Sequence, residues 1–299
     1  MTLEQLRIFI AVAEREHVTQ AAAVLNLTQS ATSAAIAALE DRHAVRLFDR
    51  VGRRIVLTEA GRLFVDEARA VLARADQAER LLGDLAGLKR GSLRLAASQT
   101  VANYWLPALM QQFRASYPGF ALSLDVANTE AVARMVHAAT VDLGFVEGQI
   151  TDPTLWTRAL PGDDLVLVVA PGHPWEQHPP RGAAALGGSV WVTREPGSGT
   201  RAVFEEALAQ QGITIDAVEI ALELPTNEAV RAAVEAGAGA TILSSLVVQA
   251  SLDAGSLRKI SYDLPPRSFQ ILHHKARHLS LAEKRFLDLA VPFDERRPA

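Results

Sequence analysis

Two absences limit what kind of protein this sequence encodes: it has no cysteine and no long uncharged apolar run. Without a thiol, the 299 residues cannot form disulfide bonds, thiolate metal sites or cysteine nucleophiles. No stretch of about eighteen apolar residues occurs without a charge, so neither a membrane span nor a membrane partner is predicted. The N-terminus carries Glu4 and no basic start, so no signal peptide is predicted. These features favour a cytoplasmic protein.

A strong excess of charge of either sign is also lacking. The formal net charge is −4, so the chain as a whole gives no reason to expect a polyanionic partner. Any surface for nucleic acid must therefore be local. With 49% apolar and 21% charged residues, a chain of this length is expected to form more than one globular unit.

Groups that could support catalysis or hold a metal are not clustered in the sequence. Among the eight histidines, only the adjacent pair His273 and His274 offers a spacing worth testing. On a strand these two side chains would point to opposite faces and could not chelate one ion. We therefore predict no catalytic residues, no metal ligands and no cofactor, and we do not expect an enzyme.

The first sixty residues have the pattern of three short helices joined by tight turns. Thr2 and Gln5 are spaced as a capping box for the first helix, and Thr19 is predicted to cap the second. Asn26 suits a left-handed residue at the end of the second helix, and Thr28 is predicted to cap the third. A helix-turn-helix of this size places one helix in the DNA major groove.

The third helix contains no basic residue in the segment TQSATSAAIAALE, and its two faces differ. At about 100° per residue, one face collects Thr32, Ile36 and Leu39, which are predicted to pack on the first two helices. The opposite face is small and hydroxyl-bearing, and it consists of Gln29, Ser30, Ser33, Ala34 and Ala37. This helix alone is equally consistent with a DNA-binding surface and with an alanine-rich helix that packs on both sides.

An arginine cluster follows the third helix and decides between those readings. Arginines stand at positions 42, 46, 50, 53 and 54, with Asp49 as the acid among them. Val51 and Gly52 offer a turn and residues 55–57 a short strand, so the cluster is predicted to lie on a β-hairpin, or wing. An arginine run is usually only a solvated face, but beside a helix-turn-helix it favours contacts to phosphate or the minor groove. The predicted DNA contacts are Thr28, Gln29, Ser30, Thr32, Ser33, Arg46, Arg50, Arg53 and Arg54.

Residues 59–90 predict one long linker helix with a coiled-coil seam. Its small and apolar residues recur at alternating spacings of four and three, at Phe64, Ala68, Val71, Ala75, Ala78, Leu82 and Leu85. The seam could pack on the chain's own C-terminal half, but a homodimer is the preferred interpretation. A dimer would present two DNA-binding helices and would favour double-stranded DNA with a two-fold symmetric site.

After Gly91 the pattern changes to β-rich runs that alternate with helices. The runs span residues 93–97, 120–126, 143–146, 165–170, 190–193, 218–222 and 241–243, which predicts βα units in a mostly parallel sheet or pair of sheets. Pro107 lies in the helix predicted from Val101 to Tyr117, so that helix is expected to bend or to start late. Ligands of such folds lie beyond the carboxyl ends of the strands.

Polar residues stand at these strand ends. Ser98 and Thr100, Thr129, and Glu147 follow three consecutive strands, so they are expected to line one rim, although such hydroxyls equally often cap helices. A later strand end carries Thr226, which could close the same cleft or cap its helix.

The segment REPGSGTR is the most informative strand end. Its glycines free the backbone N–H groups, Ser198 and Thr200 add hydroxyls, and Arg201 adds a cation at a helix N-terminus, which predicts an anion site. The segment lacks the lysine of a P-loop and the spacing of GxGxxG, so no nucleotide enzyme is indicated. A purely structural glycine turn remains the alternative.

Three linked segments, LEQLRIFIAVAE, TQAAAVLNLTQSATSAAIAALE and LFDRVGRRIVLTEAG, resemble the winged helix-turn-helix of the LysR-type transcriptional regulators. Chain length, linker and C-terminal half are similar as well. By position, the resemblance implies that Gln29, Ser30 and Ser33 belong to the recognition helix and that Arg50 and Arg53 belong to the wing.

The sequence departs from the family pattern within the recognition helix. Alanines stand at positions 34, 35 and 37, where the family often has arginine or glutamine, and Thr32 replaces a usual aliphatic residue. Base recognition by long side chains is therefore not expected. The resemblance also implies a homotetramer built as a dimer of dimers, with RNA polymerase as a further candidate partner.

For the C-terminal half the resemblance implies a periplasmic-binding-protein-like α/β domain with two lobes and two crossovers. The implied domains are 1–58 (winged helix-turn-helix), 59–90 (linker helix) and 91–299 (effector-binding domain), whose lobes are 92–163 with 268–299, and 164–267. The implied effector contacts, together with Arg201 of the predicted anion site, are Ser98, Thr100, Thr129, Glu147, Thr193, Ser198, Thr200 and Arg201. REPGSGTR resembles the branch with regulators of carbon-dioxide fixation and sulfur assimilation, which implies a small oxyanion or a phosphorylated or carboxylated metabolite.

We therefore interpret the chain as an α/β multidomain, DNA-binding transcriptional regulator controlled by a small anionic effector between two lobes. The alternative is a DNA-binding regulator or architectural protein without small-molecule control.

A division of labour between wing and helix is testable. Arg53→Ala should weaken binding to every DNA sequence and flatten the dependence of affinity on salt, because it removes a phosphate contact. Ser33→Ala should instead change sequence preference, measured by binding to a randomised DNA pool. An equal loss on random DNA for both variants would refute this division.

Overall fold

The computed structural model describes residues 1–51, 54–85 and 91–294. The chain divides into two compact units, one built on Met1–Leu85 and the other on the C-terminal part. Within the described ranges no single helix has the length and apolar composition of a membrane span, although the bent pair of helices between Val18 and His43 meets both criteria together.

Three helices form the start of the first unit: α1 (Leu3–Arg15), α2 (Val18–Val24) and α3 (Gln29–His43). The predicted capping box of α1 is present, since the Gln5 N–H donates to Thr2 Oγ1 at 3.1 Å and the Thr2 N–H donates to Gln5 Oε1 at 3.0 Å. Asn26 has the predicted left-handed conformation, with φ of 54°. Both features could be predicted from the sequence because each depends on residues that are close together in the chain.

The predicted cap of α3 is also correct, whereas that of α2 is wrong. Thr28 Oγ1 accepts a hydrogen bond from the Ala31 N–H at 3.2 Å. At α2 the capping residue is His17, whose Nδ1 accepts from the Gln20 N–H at 3.4 Å, so Thr19 lies inside the helix. A histidine ring nitrogen can replace the hydroxyl oxygen that usually caps a helix.

The predicted wing is a two-stranded antiparallel sheet of β1 (Phe48–Val51) and β2 (Arg54–Leu57), with Val51 opposite Arg54. Of the turn predicted at Val51 and Gly52, Val51 is the last residue of β1, and Gly52 lies outside the described residues. Glu40, near the end of α3, is buried, and its Oε1 accepts from the backbone N–H groups of Leu47 at 2.6 Å and Phe48 at 3.1 Å. One carboxylate therefore joins the recognition helix to the wing.

The linker helix α4 spans Glu59–Leu85, and the rest of its predicted length lies outside the described residues. Thr58 precedes it and acts twice: its Oγ1 accepts from the Gly61 N–H at 2.9 Å and donates to the Arg46 carbonyl at 2.8 Å. The core of the first unit is centred on Phe9, whose ring centroid lies 5.5 Å from that of Phe48 and 5.0 Å from that of Phe64. The start of α4 thus belongs to this core.

The second unit contains two lobes, each built on its own sheet. The first lobe has a five-stranded sheet in the order β4-β3-β5-β12-β6, from β3 (Gly91–Ser98), β4 (Phe120–Ala127), β5 (Leu143–Glu147), β6 (Leu155–Leu160) and β12 (Phe269–His274). β3 pairs in parallel with β4 and β5, while β12 is antiparallel to β5 and β6.

The second lobe joins an antiparallel sheet to a parallel pair of strands. Its strands are β7 (Leu165–Val169), β8 (Val190–Arg194), β9 (Glu219–Leu224), β10 (Thr241–Ser244) and β11 (Arg258–Ile260). β7 lies between β10 and β11, and β8 pairs in parallel with β9. A bridge between Trp191 and Ala240 connects the two sets.

Eight helices complete the second unit within the described residues: α5 (Gln99–Tyr104), α6 (Leu106–Ser116), α7 (Thr129–His137), α8 (Gly182–Gly187), α9 (Gly199–Gln210), α10 (Asn227–Glu235), α11 (Ser245–Asp253) and α12 (Leu281–Asp294). Two short 3-10 helices lie at Pro174–Glu176 and Ile215–Ala217. Only Trp105 separates α5 from α6. The interruption at Trp105 precedes Pro107, as the sequence predicted.

Two segments of chain connect the lobes and pack tightly on each other. A Cβ added at Gly162 in the first segment would lie 1.8 Å from the carbonyl oxygen of Arg267 in the second, so only glycine fits there. The Gly148 N–H, just after β5, donates to the Ser268 carbonyl at 3.2 Å. Ser98, Thr129, Glu147 and Gly199 all lie at strand ends or helix starts facing this junction.

Removing the Glu40 carboxylate should loosen the wing. Glu40→Ala leaves two buried N–H groups without an acceptor, which costs about 3 kcal/mol in total. We expect faster amide hydrogen exchange across β1 and α3 of the full chain, measured by mass spectrometry. Glu79→Ala, at an exposed glutamate on α4, is the control and should leave that exchange unchanged. Unchanged protection in Glu40→Ala would contradict the proposed role of the carboxylate.

Candidate DNA-binding surface and effector site

The exposed face of α3 is the one that the sequence predicted. Thr32, Ile36 and Leu39 are buried, whereas Ala34 and Ala37 are exposed. Gln29 and Ser30 are exposed at the N-terminal end of this face, and Ser33 is half-buried. Between Ser30 and Ala38 the exposed side chains of α3 are therefore all short.

Thr32 is a correction to the predicted DNA contacts. Its side chain is fully buried, and its Oγ1 donates to the Thr28 carbonyl at 3.1 Å. Because both the surface and the hydroxyl are occupied, Thr32 cannot contact DNA. Thr28 is exposed, although its Oγ1 caps the helix and lies 3.0 Å from Ser30 Oγ.

The wing arginines are only partly within the described residues. Arg46 is exposed and lies 3.8 Å from Glu40 Oε2, and Arg50 is exposed on β1. Arg53 and the side chain of Arg54 lie outside the described residues. Because both described side chains are exposed, both are accessible to phosphate groups.

The predicted dimer seam divides into two parts. Ala68 is completely buried and Phe64 packs on Phe9 inside the first unit, so Ala68 cannot meet a partner, which corrects the prediction for this residue. Val71, Ala78 and Leu82 are exposed, the last by 69%, and Ala75 is half-buried. The side chain of Leu85 lies outside the described residues.

A cavity of about 310 Å³ lies at the junction of the two lobes. It contains four of the predicted effector residues, Thr129 and Glu147 from the first lobe and Ser198 and Arg201 from the second. The lobes touch directly here, since the Glu130 N–H donates to the Gly197 carbonyl at 3.2 Å. We call this space the junction cavity.

Arg267 is the central buried charge beside this cavity. Its side chain is fully buried, and its Nε donates to Asp163 Oδ1 at 2.7 Å. Its Nη1 donates to Thr200 Oγ1 at 3.2 Å and lies 3.5 Å from Glu147 Oε1. The sequence analysis missed Arg267 and Asp163, and the available signal was an arginine after two prolines between apolar segments.

A second group of polar residues joins the lobes between the starts of α5 and α10. Asn227 donates from its side chain to Thr100 Oγ1 at 3.1 Å, and its N–H donates to Gln99 Oε1 at 2.9 Å. Arg194, buried at the end of β8, donates to Asn227 Oδ1. Ser98, directly before Gln99 in the chain, is buried, and its Oγ has no hydrogen-bond partner among the described residues. Sequence reasoning missed Asn227, Gln99 and Arg194.

The hydroxyls at these strand ends differ in whether they cap the helix that follows. Neither Ser98 nor Ser198 makes a side-chain cap bond, so their hydroxyls are not explained as caps. Thr226, in contrast, does cap α10, because its Oγ1 accepts from the Ala229 N–H at 3.1 Å. Thr129 Oγ1 donates to the Glu147 carbonyl at 3.2 Å.

Arg201 does not have the role that the sequence suggested. Its Nε donates to Glu205 at 2.8 Å, while its Nη1 donates to the Arg194 carbonyl at 3.0 Å and also to Glu223. Burial lowers the pKa of Arg201, but hydrogen bonds to the two glutamates outweigh this and leave the pKa raised. With its charge already paired, Arg201 is a poor ligand for an added anion, and Thr193 lies at the edge of the same network.

A metal centre is not supported. Among the described residues, no group of three or more histidine, aspartate or glutamate side chains is arranged to hold a metal ion.

Comparison with known proteins defines the class. Residues 3–62 match the description "Bacterial regulatory helix-turn-helix protein, lysR family", and residues 86–292 match "LysR substrate binding domain". YeiE, an uncharacterized HTH-type transcriptional regulator of Escherichia coli K12, is 37% identical over 98% of both chains. The RuBisCO operon transcriptional regulator of Allochromatium vinosum is 33% identical over 97% of this chain and 96% of its own.

Solved structures agree with this class. Full-length CbnR complexed with its target DNA superposes with a TM-score of 0.66 over 97% of this chain and 99% of CbnR, at 24% identity. The regulatory domain of Synechocystis PCC6803 CcmR in complex with 2-PG superposes with a TM-score of 0.63 over 70% of this chain and 100% of that domain, at 27% identity. Fold and site thus define a winged helix-turn-helix regulator with a two-lobed effector-binding domain.

The chain belongs to the LysR family of bacterial transcriptional regulators. It is a DNA-binding transcriptional regulator and not an enzyme, as the sequence predicted. The predicted fold class is confirmed, and so is the resemblance to regulators of carbon fixation. The resemblance to regulators of sulfur assimilation stays a prediction.

Loss of the Arg267 cation should destabilise the second unit strongly. Arg267→Met leaves the carboxylates of Asp163 and Glu147 buried without a cation, at a cost of about 3–5 kcal/mol. The melting temperature of the full chain, followed by circular dichroism, should fall. Arg158→Met, at an exposed arginine on β6, is the control and should change the melting temperature little. Equal melting temperatures for both variants would contradict the central role of Arg267.

Proposed function

We propose that the effector of this regulator is a small anion held between the lobes by Ser98 and Thr100 of the first lobe and Arg194 and Asn227 of the second. The observation that carries the proposal is the unpartnered, buried Oγ of Ser98. Ser98 directly precedes Gln99 and Thr100, which contact Asn227 and, through it, the buried guanidinium of Arg194. A buried hydroxyl without a partner costs free energy that a bound oxyanion would recover.

The chemistry of the same group supports an anion. The Thr100 hydroxyl can donate a hydrogen bond, and Asn227 stands at the N-terminus of α10, where the helix dipole favours negative charge. The regulatory domain of CcmR, 27% identical, is bound to 2-PG. This placement assigns the anion to Arg194, the first residue of REPGSGTR, and not to Arg201, the last, which is engaged by glutamates.

The Glu195 carboxylate supports a mechanism of switching. It accepts hydrogen bonds from Arg194 at 2.8 and 3.0 Å and from Asn128 of the first lobe at 3.2 Å. We infer that a bound anion competes with Glu195 for Arg194 and so changes how the lobes close. Only a ligand with different affinities for the two closures can shift that balance.

The DNA-binding surface that we propose consists of Gln29, Ser30 and Ser33 on α3 with Arg46, Arg50, Arg53 and Arg54 of the wing. We propose that Ala34 and Ala37 lie against thymine methyl groups, where a long side chain would not fit. We further propose that the protein acts in the cytoplasm and keeps the predicted domain boundaries.

A homodimer through α4 is the assembly that we propose. The exposed apolar side chains Val71 and Leu82 are eleven residues, or about three helical turns, apart and so lie on one side of α4, where a helical partner could cover both. Homotetramers and contact with RNA polymerase remain proposals that rest on family membership.

Calorimetry on the full chain tests the anion. 2-Phosphoglycolate, sulfate, sulfite and succinate should be titrated separately, and at least one should bind. Ser98→Ala and Thr100→Val should each weaken that binding about tenfold, which is the loss of one charge-assisted hydrogen bond. Ser123→Ala, at an exposed serine on β4, is the control and should bind normally. If no anion binds the wild-type chain, the alternative of a regulator without small-molecule control takes its place.

A further inference from the structure

Gln99 crosses between the lobes with both polar atoms of its carboxamide group. It is the first residue of α5 in the first lobe, and its Nε2 donates to the Pro225 carbonyl of the second lobe at 2.9 Å. Its Oε1 accepts from the Asn227 N–H at 2.9 Å. A carbonyl can only accept and an N–H can only donate, so these two partners fix the orientation of the carboxamide. Asn103, one turn further along α5, adds a longer bond to Glu228 at 3.4 Å.

The bond from Asn227 completes a helix cap across the two lobes. Asn227 is the first residue of α10, so its N–H has no acceptor within its own helix. Thr226, the capping residue, uses its hydroxyl on the Ala229 N–H instead. Gln99 therefore supplies an acceptor that α10 itself does not provide. If the lobes moved apart, the start of α10 would lose this bond.

Comparison with Asn128 shows what distinguishes Gln99. The Asn128 Oδ1 accepts from the Ala131 N–H, within the first lobe. Only its Nδ2 crosses to the second lobe, where it donates to Glu195 Oε1 at 3.2 Å and lies 3.4 Å from the Pro196 carbonyl. Gln99, in contrast, uses both its donor and its acceptor on backbone groups of the second lobe.

The position of Asn227 matters because its side chain connects both halves of the proposed anion site. Its Nδ2 donates to Thr100 Oγ1 of the first lobe at 3.1 Å, and its Oδ1 accepts from Arg194 of the second. Asn227 is 1% exposed, so these bonds lie in the interior. A contact that holds the start of α10 against α5 therefore also keeps Arg194 close to Thr100.

We propose that Gln99 is a positioning residue of the effector site. Its two hydrogen bonds to Pro225 and Asn227, the Gln99 latch, stabilise the closure of the lobes in which the anion is bound. Gln99 acts through Asn227 and does not bind the anion, because its oxygen and nitrogen are both engaged by the second lobe. A ligand binds more tightly when its binding-competent closure is already populated, so the latch raises the affinity for the anion. This role rests on the anion site proposed above.

Spin labels on the two lobes test the latch. The chain has no cysteine, so Lys284→Cys on α12 and Lys259→Cys on β11, both at exposed lysines, place one label on each lobe. Double electron–electron resonance on the full chain, diluted with an excess of unlabelled chain, then measures the distance between the lobes. Gln99→Met keeps the length of the side chain and removes both bonds, so the distances should lengthen and their distribution should broaden. Gln210→Met, at an exposed glutamine on α9, is the control and should leave the distribution unchanged.

Anion binding to the same variants without labels separates positioning from a general effect on stability. The probe is the tightest-binding of 2-phosphoglycolate, sulfate, sulfite and succinate, titrated by calorimetry. Gln99→Met should weaken its binding by about threefold to tenfold, because fewer molecules have closed lobes. A saturating concentration of the anion should return the label distances of Gln99→Met to those of the wild type. A role confined to the stability of α10 would not be rescued in this way.

Two results would overturn the proposal. They are equal distance distributions in Gln99→Met and Gln210→Met, and an unchanged anion affinity in Gln99→Met when its distances have lengthened. If Gln99→Met does not fold, Gln99→Glu replaces it, since a carboxylate keeps the acceptor for Asn227 but cannot donate to Pro225. The distances are measured without the anion. If they lengthen as expected and no anion binds the wild type, the anion site is wrong and the latch between the lobes stands.

Discussion

The guanidinium of Arg267 is the interaction on which the second unit depends. It lies on one of the two segments that connect the lobes, and it holds Asp163 of the other segment, Glu147 of the first lobe and Thr200 of the second. The guanidinium of Arg267 is fully buried, so breaking one of its ion pairs would leave a charge without a partner in the protein interior. The free-energy cost of such a charge holds the partners in place. The tight packing of Gly162 against the Arg267 carbonyl keeps the guanidinium in place. The proposed anion site lies at the junction between the lobes, beside the starts of α5 and α10.

A similar arrangement on a smaller scale holds the first unit together. Glu40 joins the end of α3 to the start of the wing, and Thr58 joins the start of α4 to the Arg46 carbonyl. Both residues use single side chains to satisfy backbone groups at places where one element ends and another begins. These bonds fix α3 and the start of α4 to the segment that carries Arg46 and leads into the wing. The short side chains of α3 and the arginines that follow it are separate in sequence. The hydrogen bonds of Glu40 and Thr58 connect the elements that carry them.

Local patterns were enough to predict much of the fold, and their limits have physical causes. All seven predicted β-rich runs became strands, and Pro107 marked a real interruption, because periodicity and ring geometry act over a few residues. Three strands were missed: β11 has three residues, β6 is exposed along its middle, and β12 carries two histidines that weaken its apolar pattern. In the site, Arg267 escaped notice because its acid, Asp163, is 104 residues away. The glycines at 197 and 199 signalled an unusual backbone, but a sequence cannot tell whether the vacated space holds an anion or the chain's own glutamates.

The burial of Ala68 has a mechanical meaning. Because α4 is embedded in the core of the first unit up to this point, the helix has no hinge where it leaves the winged helix-turn-helix, and it acts as a rigid lever. Its 27 residues extend about 40 Å. A tilt of about 10° at the far end of such a lever displaces the recognition surface by about 7 Å, close to the rise of two base pairs. Small changes in how two such levers cross would therefore be enough to move α3 into or out of register with a DNA half-site.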